Sequence, residues 1–283
     1  MVNSSLDSMY LSPEIVKDLE LKANGKIMDL GKSSRIIKEE VFSVIAEHSI
    51  FLQYPIEDEE LCGFVCPKKG KLFSFVNSFI PFDKQIFAAA HELYHIWFDK
   101  DILDQGELIK NDALDLNGTI NLNQKKVTAN RFAAMFLVPK NVLRDEINKL
   151  GLMHDDADLS QIVKLMDIFG VPYKTIVRRL FEIEVIPHDK CLELLSIPDK
   201  GELSPVRIAQ KRLQLGEEQQ RRTMTVRFEG LVDKALSAYE QNKISEEKLE
   251  YLLSFARKTP EEFGISKKEY TEEEILAFME NDD

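Results

Sequence analysis

The stretch "FAAAHELYHIWF" runs from Phe87 to Phe98 and carries two histidines four residues apart, His91 and His95, with Glu92 directly after the first. The alanines and long apolar side chains favour a helix, which we predict from about Asp83 to Asp99. In a helix, residues four apart lie one turn above each other on the same face. Two imidazole rings can therefore aim nitrogens at one point.

This spacing suits a zinc ion, which binds imidazole nitrogen at about 2.0–2.1 Å. Glu92 is rotated by about 100° from His91, so it can reach a water molecule at the metal without being a ligand. Zinc lowers the pKa of water toward about 7 and polarises the carbonyl under attack. The pattern predicts peptide hydrolysis, with His91 and His95 as zinc ligands and Glu92 as general base. The alternative is a helix whose histidines meet by coincidence and whose other face is core.

Charge and cysteine usage exclude several other classes of protein. The chain has 37 Lys+Arg against 49 Asp+Glu, a net charge of −12, which argues against a surface that mainly neutralises phosphates. Three cysteines, Cys62, Cys66 and Cys191, form no even framework, and "CGFVC" has the wrong spacing for a zinc knuckle or a redox pair. We expect neither a leader nor a membrane span, because the opening residues lack a basic and an apolar region and no apolar run approaches the roughly 18 residues of a span. We expect a reduced, cytoplasmic protein.

The residues around the histidine helix predict an α+β fold. The runs "LCGFVCP" and "KLFSFVNSFI", separated by "KKG", indicate a β-hairpin before the helix. Because zinc peptidases commonly bind extended substrates along a sheet edge, we expect the strand Leu72–Val76 to flank the cleft. The acidic stretch from Asp99 to Gly118 reads as a long loop with one short helical turn. Further helices are predicted in Ser12 to about His48 (two), Gln124–Val138, Lys140–Leu150, Ser160–Phe169 and Pro172–Glu182.

A second motif, "TANRFAAMFLVP" from Thr128 to Pro139, accompanies "HELYH". Together with Gly63, "FVN", "FGVPYKTIVRRL" and "ALSAYEQNKISEEKLEYLL", these segments resemble the ImmA/IrrE metallopeptidases, whose cores carry H-E-L-x-H and then E-A-N-x-F-A-x-x-L-L-x-P. The resemblance implies a zincin-like domain with a small sheet and an active-site helix. It also implies a cytosolic zinc protease of bacteria, phages or mobile elements that cleaves helix-turn-helix repressors.

One departure from the family concerns the third zinc ligand. The resemblance places a ligand glutamate just before Ala-Asn, where this chain has Thr128, and a neutral hydroxyl is a poor substitute. A replacement would have to come from the acidic loop. Asp115 stands twenty residues after His95, a separation like that in thermolysin-like enzymes, and Asp112 and Glu107 are the next candidates. The loop also offers Asp99, Asp101 and Asp104. Without such a ligand, the chain would be a metal-poor pseudopeptidase that acts by binding its partner.

We predict two domains: a metallopeptidase domain with a helical extension over 1–195, and a helical module over 206–283. The break is "SIPDKGELSPV", Ser196–Val206, where proline, glycine and charge interrupt the apolar pattern. The module reads helix, turn, helix, with Ser245 as N-cap. A transcription regulator using this module is a further hypothesis. Its second helix is acidic, so DNA binding is not expected and contact with a protein is favoured.

Weaker signals in the sequence favour structural roles. The histidines outside the motif, His48, His154 and His188, are predicted as surface or satisfied histidines. The aromatic residues Trp97, Phe98, Phe132 and Phe136 are predicted to form core between two helices. Eight basic residues could form a patch, but solvated helix faces are the favoured interpretation. They are Lys174, Arg178, Arg179, Lys211, Arg212, Arg221, Arg222 and Arg227.

Overall fold

A computed structural model describes residues 11–104, 109–112, 124–152, 157–228 and 230–265 of the 283-residue chain. Packing divides the chain into two compact units, Met1–Thr225 and Val226–Asp283. The first unit combines a small mixed sheet with many helices, so the α+β prediction is confirmed at that level. Within the described residues, no helix has both the length and the apolar composition of a membrane span.

The described helices of the first unit follow the predicted periodicity closely. Helix α3 contains the histidine motif and ends one residue before its predicted end, and α6 has the predicted bounds. The helices are α1 (Pro13–Asp29), α2 (Val41–His48), α3 (Phe82–Phe98), α4 (Lys100–Asp104), α5 (Gln124–Leu137), α6 (Lys140–Leu150), α7 (Leu159–Phe169), α8 (Tyr173–Glu182), α9 (His188–Leu195), α10 (Pro205–Leu213) and α11 (Glu217–Gln220), with a 3₁₀ turn at Lys38–Glu40.

Four strands of the first unit form one sheet in the order β4-β2-β3-β1. They are β1 (Ile50–Tyr54), β2 (Leu61–Lys68), β3 (Lys71–Asn77) and β4 (Ile109–Asp112). Strands β2 and β3 form the predicted hairpin, with Lys68 opposite Lys71. Its two turn residues, Lys69 and Gly70, both have positive φ, as a tight hairpin turn requires. Strand β1 pairs with β3 in parallel, and β4 pairs with β2 antiparallel.

The strand predicted to flank the cleft is not an edge strand. Strand β3, which includes Leu72–Val76, lies between β2 and β1, so its main-chain groups are already used by its neighbours. The acidic stretch after α3 instead contributes β4, which follows β2 at one end of the sheet order. This strand was not predicted, because "IKND" has neither the length nor the alternation that identifies a strand.

Helix α3 is the central helix of the first unit and is buried along nearly its whole length, from Asp83 to Ile96. It packs on β2 and β3 on one side and on α5 on another. Between α3 and α5 the predicted aromatic core is confirmed. Trp97 and Phe98 lie edge-on to Phe132, at ring-centroid distances of 6.0 and 5.5 Å, and Phe132 stacks on Phe136 at 5.7 Å.

The division between the two units lies later than the predicted break at Ser196–Val206. Helix α10 packs on α7, and Val206 is buried in the main core, so residues 206–225 belong with the first unit. Ser204 caps α10, and Pro205 occupies its first turn. The proline and polar residues of this segment therefore mark the start of a helix and not a domain boundary.

The second unit is a small helical module with its own core. It contains the short strand β5 (Arg227–Phe228), the helices α12 (Leu231–Glu240) and α13 (Glu246–Phe255), and a 3₁₀ turn at Pro260–Phe263. Ala235, Leu249 and Leu253 are its buried centre. The predicted N-cap is confirmed, since the Ser245 hydroxyl accepts a hydrogen bond from the backbone N–H of Lys248 at 3.3 Å.

Candidate active site

The two histidines of α3 point their ε nitrogens at each other, with His91 Nε2 and His95 Nε2 3.1 Å apart. The other nitrogen of each ring has an oxygen partner. His91 Nδ1 donates to Asn130 Oδ1 at 2.7 Å, and His95 Nδ1 donates to Asp99 Oδ2 at 2.6 Å. With Nδ1 carrying the proton in both rings, both Nε2 atoms present lone pairs toward one point.

This arrangement fits a zinc ion. Two nitrogens held tetrahedrally about 2.0–2.1 Å from one zinc would lie roughly 3.3 Å apart, close to the separation of the two Nε2 atoms. Two facing lone pairs repel each other unless a proton or a cation lies between them. Oxygen acceptors on the outer nitrogens also match the way metal-binding histidines are usually oriented.

The environment keeps His91 neutral, which is the form that binds metal. Burial lowers the pKa of His91 well below its usual value, and the neighbouring His95 lowers it further. The hydrogen bond to Asn130 acts in the opposite direction. The positive charge of Lys126 also lowers the pKa of His91, so this ammonium group lies within electrostatic range of the imidazole.

Glu92 is completely buried, and Gly63 on β2 provides the room for its carboxylate. A Cβ atom at position 63 would lie 3.1 Å from Glu92 Oε1 and 2.7 Å from the carbonyl oxygen of Phe75. Contacts as close as the second do not occur in relaxed structures, so any larger residue here would displace the strand or the carboxylate. Gly63 thus positions Glu92 against the sheet.

On α5, Asn130 and Lys126 are the residues that act on His91. Asn130 contacts His91, and Lys126 lies one turn before it, only about 40° away around the helix. Thr128 lies about 160° from Asn130 around the same axis, so it does not share the face that meets His91. Position 126 therefore lies on the Asn130 face of α5. It holds a cation.

No third ligand is found among the described residues, where no group of three or more His, Cys, Asp or Glu is placed to bind a metal. Asp99 places a carboxylate at the pair, but it binds the outer nitrogen of His95. The candidates Glu107 and Asp115 lie outside the described residues, as does the side chain of Asp112.

Ion pairs around Glu182 connect α5 to α8. Glu182 accepts from Arg131 at 2.8 Å and also pairs with Arg179, whose Nε donates to the carbonyl oxygen of Val138 at 3.1 Å. Because Arg131 directly follows Asn130, this group fixes the rotation of α5 toward His91. The solvated helix face predicted for Arg179 is wrong, because this side chain is only 3% exposed and holds α8 to the end of α5.

Of the predicted structural histidines, the two that the structure describes have no part in the pair. His48 lies edge-on to Trp97 at 5.6 Å, and burial is the main cause that lowers its pKa. His188 lies beside Asp189 at 3.5 Å. His154 is outside the described residues.

Residues 75–181 match the family model Peptidase_M78, the IrrE N-terminal-like domain. This segment belongs to the ImmA/IrrE family. The resemblance predicted from the motifs is thereby confirmed, and the IrrE-like domain contains His91, Glu92, His95 and Asn130. Gly63 and the similar segment near the C-terminus lie outside the matched residues. A comparison with curated proteins gave no match.

Proposed function

We propose that the chain is a zinc-dependent metallo-endopeptidase with a zincin-like active site. The observation that carries this proposal is the convergence of the His91 and His95 ε nitrogens at 3.1 Å while both outer nitrogens are held by oxygen acceptors. The IrrE-like domain, which is of metallopeptidase type, supports it.

In this proposal His91 and His95 hold the metal, and Glu92 takes the proton from the attacking water and passes it to the leaving amine. Zinc, when bound, supplies a lowered pKa for water and polarisation of the scissile carbonyl. Burial serves Glu92, because a carboxylate removed from bulk water is a stronger base toward a proton at short range. Asp99 and Asn130 keep the imidazoles in the orientation that the metal needs.

The third ligand in this proposal is a carboxylate from the acidic segment between α4 and α5, with Asp115, Asp112 and Glu107 as candidates. This segment follows α4 and contributes β4, which pairs with β2, the strand that carries Gly63. A segment that returns to the sheet next to Glu92 can bring a carboxylate to the histidines.

We propose a helix-turn-helix repressor as substrate, in a bacterial, phage or mobile-element response, on the basis of the family resemblance. In this scheme the first unit is catalytic and the second binds the partner. DNA is not proposed as a ligand. Basic residues that could have formed a patch have acidic partners, with Lys174 at 3.5 Å from Asp199, Arg179 on Glu182, and Arg222 on Glu59. Helix α13 has glutamates at 246, 247 and 250.

The test is cleavage of a candidate repressor by wild type and by Glu92→Gln, with zinc content measured in parallel. Glu92→Gln should lower the rate by about 10²–10⁴-fold while zinc is retained, since a general base is lost and no ligand is removed. The matched control is Glu47→Gln, an exposed glutamate on α2 that should cleave at the wild-type rate. Full-rate cleavage by Glu92→Gln would exclude the mechanism.

A second candidate function is supported by Lys126. A cation within electrostatic range of His91 opposes a divalent metal, and a pseudopeptidase that binds its partner without cleaving it would tolerate that charge. Replacing Asp115, Asp112 and Glu107 by alanine one at a time separates the two candidates. Loss of zinc and cleavage in one of the three variants supports the enzyme, and absence of zinc from wild type supports the pseudopeptidase.

A further inference from the structure

The segment Arg221–Thr225, here called the strap, lies alongside the turn that joins β3 to α3. Pro81 and Arg222 form an antiparallel bridge. The backbone N–H of Phe82, the first residue of α3, donates to the carbonyl oxygen of Arg221 at 3.1 Å. On the other side of the bridge, Met224 N–H donates to Ser78 O at 3.1 Å, and Ser78 Oγ donates to Thr225 O at 2.7 Å. The strap thus extends the main-chain pairing at the beginning of the active-site helix.

The Arg222 side chain ties two loops to the strap. It donates to the carbonyl oxygen of Phe79 at 3.0 Å, lies 4.3 Å from the centre of the Phe79 ring, and pairs with Glu59 in the loop before β2. The hydrogen bond from Arg222 is the main cause that holds the pKa of the Glu59 carboxyl below its usual value. The buried amide of Asn77 joins the same loop and turn, since it binds Ile56 and Phe79.

The strap also reaches α3 through a side chain. Thr223 Oγ1 donates to Gln85 Oε1 at 3.0 Å. Gln85 lies in the first turns of α3, is fully buried, and donates to the carbonyl oxygens of Ser78 and Ile80 at 3.2 and 2.8 Å. Gln85 therefore hydrogen-bonds both to the strap and to the turn that precedes α3.

The strap is continuous with the second unit, because Thr225 immediately precedes Val226, where that unit begins. We propose that the strap positions the start of α3 and transmits the state of the second unit to the helix that carries His91, Glu92 and His95. A partner that binds the second unit and displaces Thr225 breaks its bond to Ser78, and displacement of the whole strap also breaks the bond from Phe82 to Arg221, which releases the first turn of α3. The consequence for cleavage rests on the proposed function, whereas the positioning of α3 does not.

Hydrogen exchange of the full-length protein tests the positioning. Arg222→Ala and Thr223→Val should each speed amide exchange in residues 78–86 by about tenfold, because each removes a bond that closes this turn. Lys211→Ala is the matched control, since it removes an exposed ion pair with Glu202 (2.7 Å) away from the strap, and it should leave this exchange unchanged. Wild-type exchange in both strap variants would overturn the proposal.

Transmission is tested from the second unit. Leu253→Ala opens the core of that unit, where Leu253 is fully buried, and should speed exchange in residues 78–86 several-fold. A flexible Gly/Ser insertion of about ten residues between Thr225 and Val226 should cancel that effect. Equal exchange in wild type and Leu253→Ala would overturn transmission. Hydrogen exchange is measured without metal or substrate. A negative result in this experiment is therefore independent of the zinc and cleavage assays that test the proposed function.

Discussion

Helices α3 and α5 pack against each other at the candidate site, and they contribute very differently to the proposed metal centre. Helix α3 supplies both imidazoles and a buried carboxylate, and Asp99, just after it, orients His95. Helix α5 supplies Asn130, which orients His91, and Lys126, whose charge opposes a cation. The half of the proposed site on α3 thus holds both metal-binding nitrogens, whereas the half on α5 holds one orienting amide and one cation. Metal affinity should therefore be set mainly by α5 and by the acidic segment before it.

The largest expected effect comes from Lys126→Glu on zinc affinity. Exchanging the cation that acts on His91 for a carboxylate should raise zinc affinity about tenfold to a hundredfold, since reversing the sign of this charge turns repulsion of the metal into attraction. Lys126→Gln should give an intermediate gain. Competition with a chromophoric chelator measures the zinc affinity of wild type and of both variants.

The matched comparison is Thr128→Glu, two residues away on the same helix. It adds the same carboxylate on a different face of α5, so its effect on zinc affinity should be about threefold at most. A larger gain from Thr128→Glu than from Lys126→Glu would show that α5 presents position 128 to the histidines, against the helix geometry described above.

A smaller effect is expected on the α3 side from Gly63→Ala. The added Cβ meets the Phe75 carbonyl at 2.7 Å and the Glu92 carboxylate at 3.1 Å, so the free energy of unfolding should fall by about 2 kcal/mol. Urea denaturation measures this loss. Gly25→Ala is the control, because it lies in α1 with nothing within 4 Å of the new Cβ and should be neutral or stabilising. Equal stability of the two variants would exclude close packing of Glu92 on β2.

The smallest effect concerns the other end of α3. Burial raises the pKa of Asp83 to about 7, which Lys84 and Arg207 partly oppose. In the unfolded chain this carboxyl ionises near its usual pKa of 3.8, so between pH 3.8 and pH 7 the folded state holds one extra proton. The contribution of Asp83 to the free energy of unfolding therefore falls as pH rises toward 7.

Asp83→Asn removes that titration and keeps an acceptor for the Lys84 N–H, which now donates at 2.8 Å. The stability of the variant relative to wild type should increase by about 1 kcal/mol between pH 6 and pH 7. Asp18→Asn, at an exposed ion pair with Lys22, should show no such trend. A pH-independent difference for Asp83→Asn would contradict the burial argument.

The parts of the structure that depend on local sequence could be predicted. Periodicity and spacing within one element account for three of these parts. They are the bounds of α3 and α6, the turn at Lys69 and Gly70, and the convergence of His91 and His95. The contact of Asn130 with His91 could not be predicted, because the face that α5 turns to α3 depends on how the two helices pack. Strand β4 also escaped prediction, since its four residues gain their structure by pairing with β2.

The strap is the clearest case of a feature that sequence patterns do not reveal. Ser78 and Thr225 are 147 residues apart in the chain, and neither belongs to a motif. Polar contacts between irregular segments leave no periodicity to read. The predicted break at Ser196–Val206 failed for a related reason, because the burial of Val206 is decided by α7, some forty residues earlier.

Zinc binding by the wild-type protein tests the central claim most directly. The purified, dialysed chain should hold about one zinc, and His95→Ala, which removes one of the two converging nitrogens, should hold essentially none. His48→Ala is the control and should keep the metal. Zinc absent from wild type at micromolar free zinc, or zinc retained equally by His95→Ala, would contradict a metal centre at the His91–His95 pair.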